Sequence, residues 1–159
     1  MASRRLSLLV AALLIAAVVL AFAYQLGLLA YLTGTEDRAT VTISEEGGET
    51  LATVEAEVAD TPPERYTGLS DHESLGEHEG MLFVFGSEDT QSFVMRDMAF
   101  PIDMIFVGED GTITTIHEAP VEDDDSSYRG EAKWVLEVNY GYAAEHGIEE
   151  GDQVGIEYR

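Results

Sequence analysis

The chain reads as a mainly β domain, an antiparallel sandwich or partly closed barrel with one or two short helices, preceded by an N-terminal transmembrane helix. Three observations predict this class. Residues 80–107 (GMLFVFGSEDTQSFVMRDMAFPIDMIFV) hold three short apolar runs rich in Phe, Val and Ile, at 81–85, 93–98 and 102–107, separated by turn residues. That is the signature of strands. The remaining apolar segments of the domain are also short and bounded by Gly, Asp or Asn, which points to turns rather than long helical crossovers. Residues 6–32, by contrast, are interrupted only by Ser7, Tyr24, Gln25 and Gly27. As a helix they would span about 40 Å, more than the roughly 30 Å hydrocarbon core of a bilayer.

Arg4 and Arg5 precede this apolar block and Glu36-Asp37 follow it, so the positive-inside rule puts the N-terminus in the cytoplasm and the domain outside the cell membrane. Ala21-Phe22-Ala23 has the form of a signal-peptide cleavage site. The apolar run nevertheless continues through Leu26, Leu28, Leu29, Tyr31 and Leu32, and a retained single-pass signal anchor is expected. The chain then divides into a cytoplasmic tip (1–5), an anchor (6–32), a linker (33–38) and an extracytoplasmic domain (39–159).

Within the domain, residues 39–43 and 51–58 alternate around Gly47-Gly48 and form a β-hairpin. Thr61 with Glu64 three residues later is a capping box, and Pro62 suits the first helical position, so a short helix runs over 62–67 and stops at Gly68. Residues 69–79 make a polar loop. The three central runs are expected as three strands. Residues 112–117 return across Gly108-Glu109-Asp110-Gly111 as a hairpin partner of 102–107. A loop over 119–130 leads to a strand at 133–139, with Trp134, Leu136 and Val138 on one face and Val135 and Glu137 on the other. A helical turn at 140–146 ends at Gly147, and residues 153–158 form the last strand.

Asp and Glu number 31 against eight Lys plus Arg. All the acids follow residue 35, where six bases remain, so this part carries 6 − 31 = −25. Such a balance opposes nucleic-acid binding. Because the acids are spread rather than bunched, it fits the surface of a protein from a cell living in concentrated salt, where the Debye length is about 3 Å or less and self-repulsion is screened. There is no Cys, which excludes disulfides, zinc–thiolate sites and cysteine nucleophiles.

Chemistry is sparsely marked. Arg96 and Asp103 sit inside apolar runs, and Glu137 inside a strand. If Asp103 and Glu137 shared a pocket, desolvation would raise their pKa and make an acid–base pair, with Arg96 as ion-pair partner or anion clamp. The competing reading is a structural ion pair or solvent-facing strand positions. Asp103 stands out of the three, following Pro101-Ile102 directly. His117 is a further candidate for binding, set against a simple packing role. Met81, Met95, Met98 and Met104 could suit copper(I), but read better as core filler. His72 and His78 match no standard zinc spacing, and Asp123-Asp124-Asp125 lacks the spaced ligands of a calcium loop. No metal and no cofactor is expected. Phosphate-loop, nucleophile-elbow and zincin motifs are all missing from the sequence.

Several fragments carry a resemblance in their order. They are Ala59-Asp60-Thr61-Pro62 running into Tyr66-Thr67-Gly68-Leu69, then GMLFVF, SFVM, FPIDMIFV and WVLEVNYGYAAEHGIEEGD. Over about residues 54–154 the chain resembles the domain of unknown function 192 family, small extracytoplasmic or membrane-anchored proteins. The resemblance implies a mainly-β fold with short helices and no assigned reaction; Asp103 falls where the family pattern also has Asp. Two departures stand out: Ser70-Asp71-His72 where the family usually has Met and Arg, and Val94-Met95-Arg96-Asp97-Met98 where it has Trp before the Met and Asn-Thr after it. The expected role is a membrane-anchored binding module for a small ligand or an envelope protein. The alternative is an envelope hydrolase using Asp103 and Glu137 with Arg96.

Overall fold

The computed structural model describes residues 38–121 and 126–159, with Val18 and Ala21. The chain divides into two units, Met1–Glu36 and Asp37–Arg159. The expected anchor, those two residues apart, and the Asp123-Asp124-Asp125 run lie outside the described residues. Among the described residues no helix is long and apolar enough to cross a membrane.

Strand β1 (Arg38–Ser44) and strand β2 (Thr50–Ala59) form the expected antiparallel hairpin. Their alternation buries Ala39, Val41 and Ile43 beside Val54 and Ala56. Helix α1 (Pro62–Thr67) opens on the capping box, with Thr61 Oγ1 accepting from the Glu64 N–H and the Glu64 carboxylate accepting from the Thr61 N–H at 3.0 Å. A cap of this kind is worth about 1 kcal/mol. Gly68 ends the helix at φ 52°, and a Cβ there would lie 3.1 Å from the Phe83 ring. A 3-10 turn over Gly68–Asp71 then buries Leu69.

This helical connection returns the chain in the same direction. Strand β3 (Glu79–Phe93) therefore pairs parallel with β2, Glu55 opposite Glu79, a geometry that needs a crossover and that no tight turn can make. The wholly antiparallel expectation is corrected at this pair. A second correction concerns 93–98, which forms no strand. β3 is a single strand of 15 residues whose register with β6 breaks between Val84 and Asp89. Beyond Phe93 the chain leaves the ladder, and Asp97 adopts a left-handed backbone at φ 55°. The apolarity of this run reflects burial of Met95 against the sheet, not strand pairing.

Strand β4 (Ile102–Val107) and strand β5 (Ile113–Ala119) form the second hairpin. Strand β6 (Tyr128–Asn139) starts earlier than its apolar part suggests, because it stays paired with the far end of β3. Helix α2 (Tyr142–His146) and strand β7 (Gln153–Tyr158) complete the domain. The strands form one sheet, in the order β5-β4-β6-β3-β2-β1-β7, so the two-sheet sandwich is also corrected. The sheet is not closed into a barrel. Its edge strands β5 and β7 approach at a single bridge, Thr112 to Gln153, with Ile113 donating to the Asp152 carbonyl and Val154 to that of Gly111.

Both faces of the central part of this sheet, at β4 and the adjoining stretches of β3 and β6, are buried. One cluster joins β1 and β2 residues to Leu82, Ile105, Leu136 and Val138, covered by Tyr142, Ala143 and Ile148. The other holds Met81, Phe83, Met104, Phe106 and Val135, covered by Leu69 and Met95. Strand alternation thus sends the two buried acids of the sheet into different surroundings.

Candidate functional site

All six residues of β4 are buried. Asp103 shares a face with Ile105 and lies opposite Val138 in β6, whereas Glu137 lies opposite Met104, one residue further along β4. The two carboxyls therefore project from opposite faces of the sheet, and the structure does not bring them together.

Asp103 is held by α2. Its Oδ1 accepts from the Gly141 N–H at 3.0 Å and its Oδ2 from the Ala143 N–H at 2.9 Å. Gly141 is the N-cap residue and has no side chain to do this, so Asp103 caps the helix from a neighbouring strand. Burial pushes the Asp103 carboxyl up, opposed by the Ala143 and Gly141 donors, and the Glu118 charge adds to the rise. His117 is likewise packed: Nε2 lies 2.9 Å from the Arg129 carbonyl oxygen, with its ring beside Phe106 and Tyr128. Neither residue lines the pocket described next.

On the Glu137 face, α1, the 3-10 turn, β3 and the loop after Phe93 enclose a pocket of about 250 Å³. Its inner wall is made by Leu69, Phe83 and Glu137, all buried. Phe93 forms T-shaped contacts with Phe83 at 4.9 Å and with Phe85 at 6.3 Å, so the three rings pack edge to face as one aromatic wall. Gln91, Ser92 and Met98 also line it. Arg65 and Arg96 stand at the pocket too. The Arg65 guanidinium donates to the Asp60 carbonyl and, at 3.0 Å, to the Val84 carbonyl, and lies 5.3 Å from the Phe85 ring centre. Arg96 Nη2 donates to the Tyr66 carbonyl at 2.6 Å, and its guanidinium lies 4.1 Å from the Tyr66 ring centre. Arg96 meets neither Asp103 nor Glu137; its nearest acid is Asp97, at 3.9 Å.

The Glu137 carboxyl has no hydrogen-bond or ion-pair partner among the described residues; it faces the pocket rather than being sealed from solvent, unlike His72 Nδ1, which is buried without a partner. Burial alone pushes its pKa up to about 8. At neutral pH it is mostly a neutral acid, able to donate one hydrogen bond and accept others. Among the described residues, no group of three or more His, Asp or Glu could hold a metal ion. His72 pairs instead with Glu57 at 3.2 Å, and His78 lies 3.4 Å from the Tyr142 hydroxyl. Of the sequence candidates, Arg96 and Glu137 meet at the pocket. Arg65 and the Phe83, Phe85 and Phe93 wall escaped the sequence reading. The one available signal was the period-2 placement of Phe83 and Phe85 beside an arginine at a helix end.

Asp103→Ala leaves two N–H groups of α2 without their acceptor and is expected to lower unfolding free energy by about 1–3 kcal/mol, with a smaller loss for Asp103→Asn. Urea titration checks this, and an unchanged midpoint would contradict the cap. For Glu137, the folded protein binds a proton that the unfolded chain releases between pH 4.5 and about 8. Its contribution therefore falls as pH rises through that window, by about 1.4 kcal/mol per unit. Subtracting Glu137→Gln stability curves from those of the parent protein should reveal this slope; parallel curves would refute it.

The comparisons with known proteins agree with this architecture. A candidate transcription regulator from Sinorhizobium meliloti 1021 is 31% identical, with a TM-score of 0.69 over 75% of this chain and 92% of that one. A protein of unknown function from Novosphingobium aromaticivorans DSM 12444 is 36% identical, with a TM-score of 0.67 over 73% of this chain and 83% of that one. No curated protein matches the chain. Residues 42–156 match the family DUF192, described as Uncharacterized ACR. Since that match spans most of the chain and all seven strands in whole or part, the protein belongs to the DUF192 family.

Proposed function

We propose that the domain is a membrane-anchored, extracytoplasmic binding module whose pocket takes a small ligand. The observation that carries this reading is the unpartnered Glu137 carboxyl on the inner wall of the pocket. The carboxyl faces the pocket, so a ligand entering there can exchange hydrogen bonds with Glu137 in place of water. Apolar walls with a few convergent polar groups are the usual composition of small-ligand sites. The hydrolase alternative has no such support: a paired-carboxylate mechanism needs two acids at one substrate, and Asp103 lies on the other face of the sheet. The regulatory description of the Sinorhizobium protein does not favour direct contact with nucleic acid here, since a net charge of −23 opposes a phosphate backbone.

Soaking crystals with a library of fragments of about ten heavy atoms tests the pocket. Occupancy beside Glu137 is expected; fragments found everywhere but there would defeat the reading. The anchor and the concentrated-salt surface rest on residues 6–32 and on the spread acids. Protein isolated from membranes should have the intact mass of residues 1–159 and should lose its β circular dichroism on dilution to low salt. A new N-terminus at Tyr24 would end the first proposal, and an unchanged spectrum the second.

A further inference from the structure

We propose that the ligand of this pocket is a small organic anion, a carboxylate on an apolar body, with its head at Arg65 and Arg96 and its body against Phe83, Phe85 and Phe93. This rests on the pocket being a ligand site and goes beyond it by assigning the charge of the ligand.

The first support is where the bases are. After residue 35 the chain has 31 acids and six bases, and two of those six line this one pocket. Acidic partners are abundant, and three of the other four bases find them: Lys133 lies 2.7 Å from Glu109, Arg159 3.0 Å from Glu55 and Arg38 3.6 Å from Glu57, while Arg129 donates to Ser127 Oγ at 3.2 Å. The pocket arginines differ. Among the described residues Arg65 has no carboxylate within ion-pair distance, and Arg96 has only the exposed Asp97 at 3.9 Å.

The second support is how these arginines are held. Each guanidinium is fixed by backbone carbonyls and lies against an aromatic ring: Arg65 by Asp60 and Val84 with Phe85, Arg96 by Tyr66 with the Tyr66 ring. Carbonyl oxygens orient a guanidinium without neutralising it. Arg65 uses Nη1 and Arg96 uses Nη2 for these bonds. Of five N–H donors on each side chain, several are therefore left for an anion, in positions set before it arrives. Carboxylates accept from such planar donors in pairs.

The inner wall is compatible with that polarity. Glu137, held mostly neutral by burial, does not repel an anion and can donate a hydrogen bond to a polar atom at the far end of the ligand. The volume of about 250 Å³ equals about eight waters at about 30 Å³ each, which suits a body of one ring or a short branched chain.

The test uses the full chain in detergent at one fixed salt concentration, titrated by calorimetry with three probes of one shape: 3-phenylpropionate, 3-phenylpropan-1-ol and 3-phenylpropylamine. The carboxylate is expected to bind at least about tenfold more tightly than the alcohol. Arg96→Gln and Arg65→Gln should each reduce that preference several-fold, weakening the carboxylate more than the alcohol, and the double variant should abolish it; circular dichroism confirms that each variant is folded. Arg96→Lys, which keeps the charge but not the planar fork, should retain part of the preference. If the alcohol or the amine binds as tightly as the carboxylate, and Phe93→Ala weakens all three, the anion assignment is overturned while the pocket stands. If none of the probes binds, or Phe93→Ala changes nothing, the pocket reading falls and this inference falls with it.

Discussion

The structure depends on the centre of the sheet being buried on both faces. β4 has no exposed residue, and the stretch of β6 beside it, from Val135 to Val138, is equally enclosed. A polar side chain on either strand must be met by something packed against its face or by a cavity that reaches it. Asp103 and Glu137 are the only buried charged or polar residues among those described, and they meet this constraint in different ways. Asp103 is answered by two N–H groups at the start of α2. Glu137 is answered by no described residue and opens to a pocket. One acid thus secures a helix to the sheet, and the other leaves a hydrogen-bonding demand at a cavity wall.

The parallel pairing of β2 with β3 builds that cavity. Because the two strands run in the same direction, the chain between them must cross over the sheet, and it does so as α1 and the 3-10 turn. The crossover lays Leu69 on the outer apolar cluster and brings Arg65 and Tyr66 to the rim of the pocket. Gly68 permits the close approach, since a side chain there would press on the Phe83 ring. On the other side, the chain leaving β3 at Phe93 folds Met95 inward and leaves Arg96 partly exposed. An antiparallel hairpin at β2–β3 would need no crossover and would leave this face of the sheet bare.

The charge distribution gains meaning from the fold. A surface with five acids for each base offers most bases a partner, as Lys133, Arg159 and Arg38 show, and most exposed ion pairs of that kind contribute 0–1 kcal/mol. The pocket arginines depart from this by relying on carbonyls and aromatic rings. The exposed Tyr66 and Val94 flank the same opening, so apolar side chains and two arginines held by carbonyls and rings meet at the mouth of the cavity.

The sequence by itself determined the local structure. Alternation marked β1 and β2, a continuous apolar run marked β4, the turn at Gly151-Asp152 marked β7, the capping box marked α1, and alternation in β6 put Glu137 on the face opposite Trp134 and Leu136. These features are legible because period, caps and turn residues act over a few neighbours in the chain. The tertiary structure decided everything that depends on distant segments meeting. The parallel β2–β3 pair, the single sheet and the loop status of residues 94–98 each follow from which surfaces pack together, and an apolar run reads the same whether it pairs or merely packs. The roles of the acids were hidden for the same reason. Asp103 finds its donors 38 and 40 residues away, and the pocket draws Arg65, Phe93, Arg96 and Glu137 from three separate parts of the chain. Burial and the presence or absence of a partner are properties of that assembly, and they alone distinguish a structural acid from one left facing a cavity.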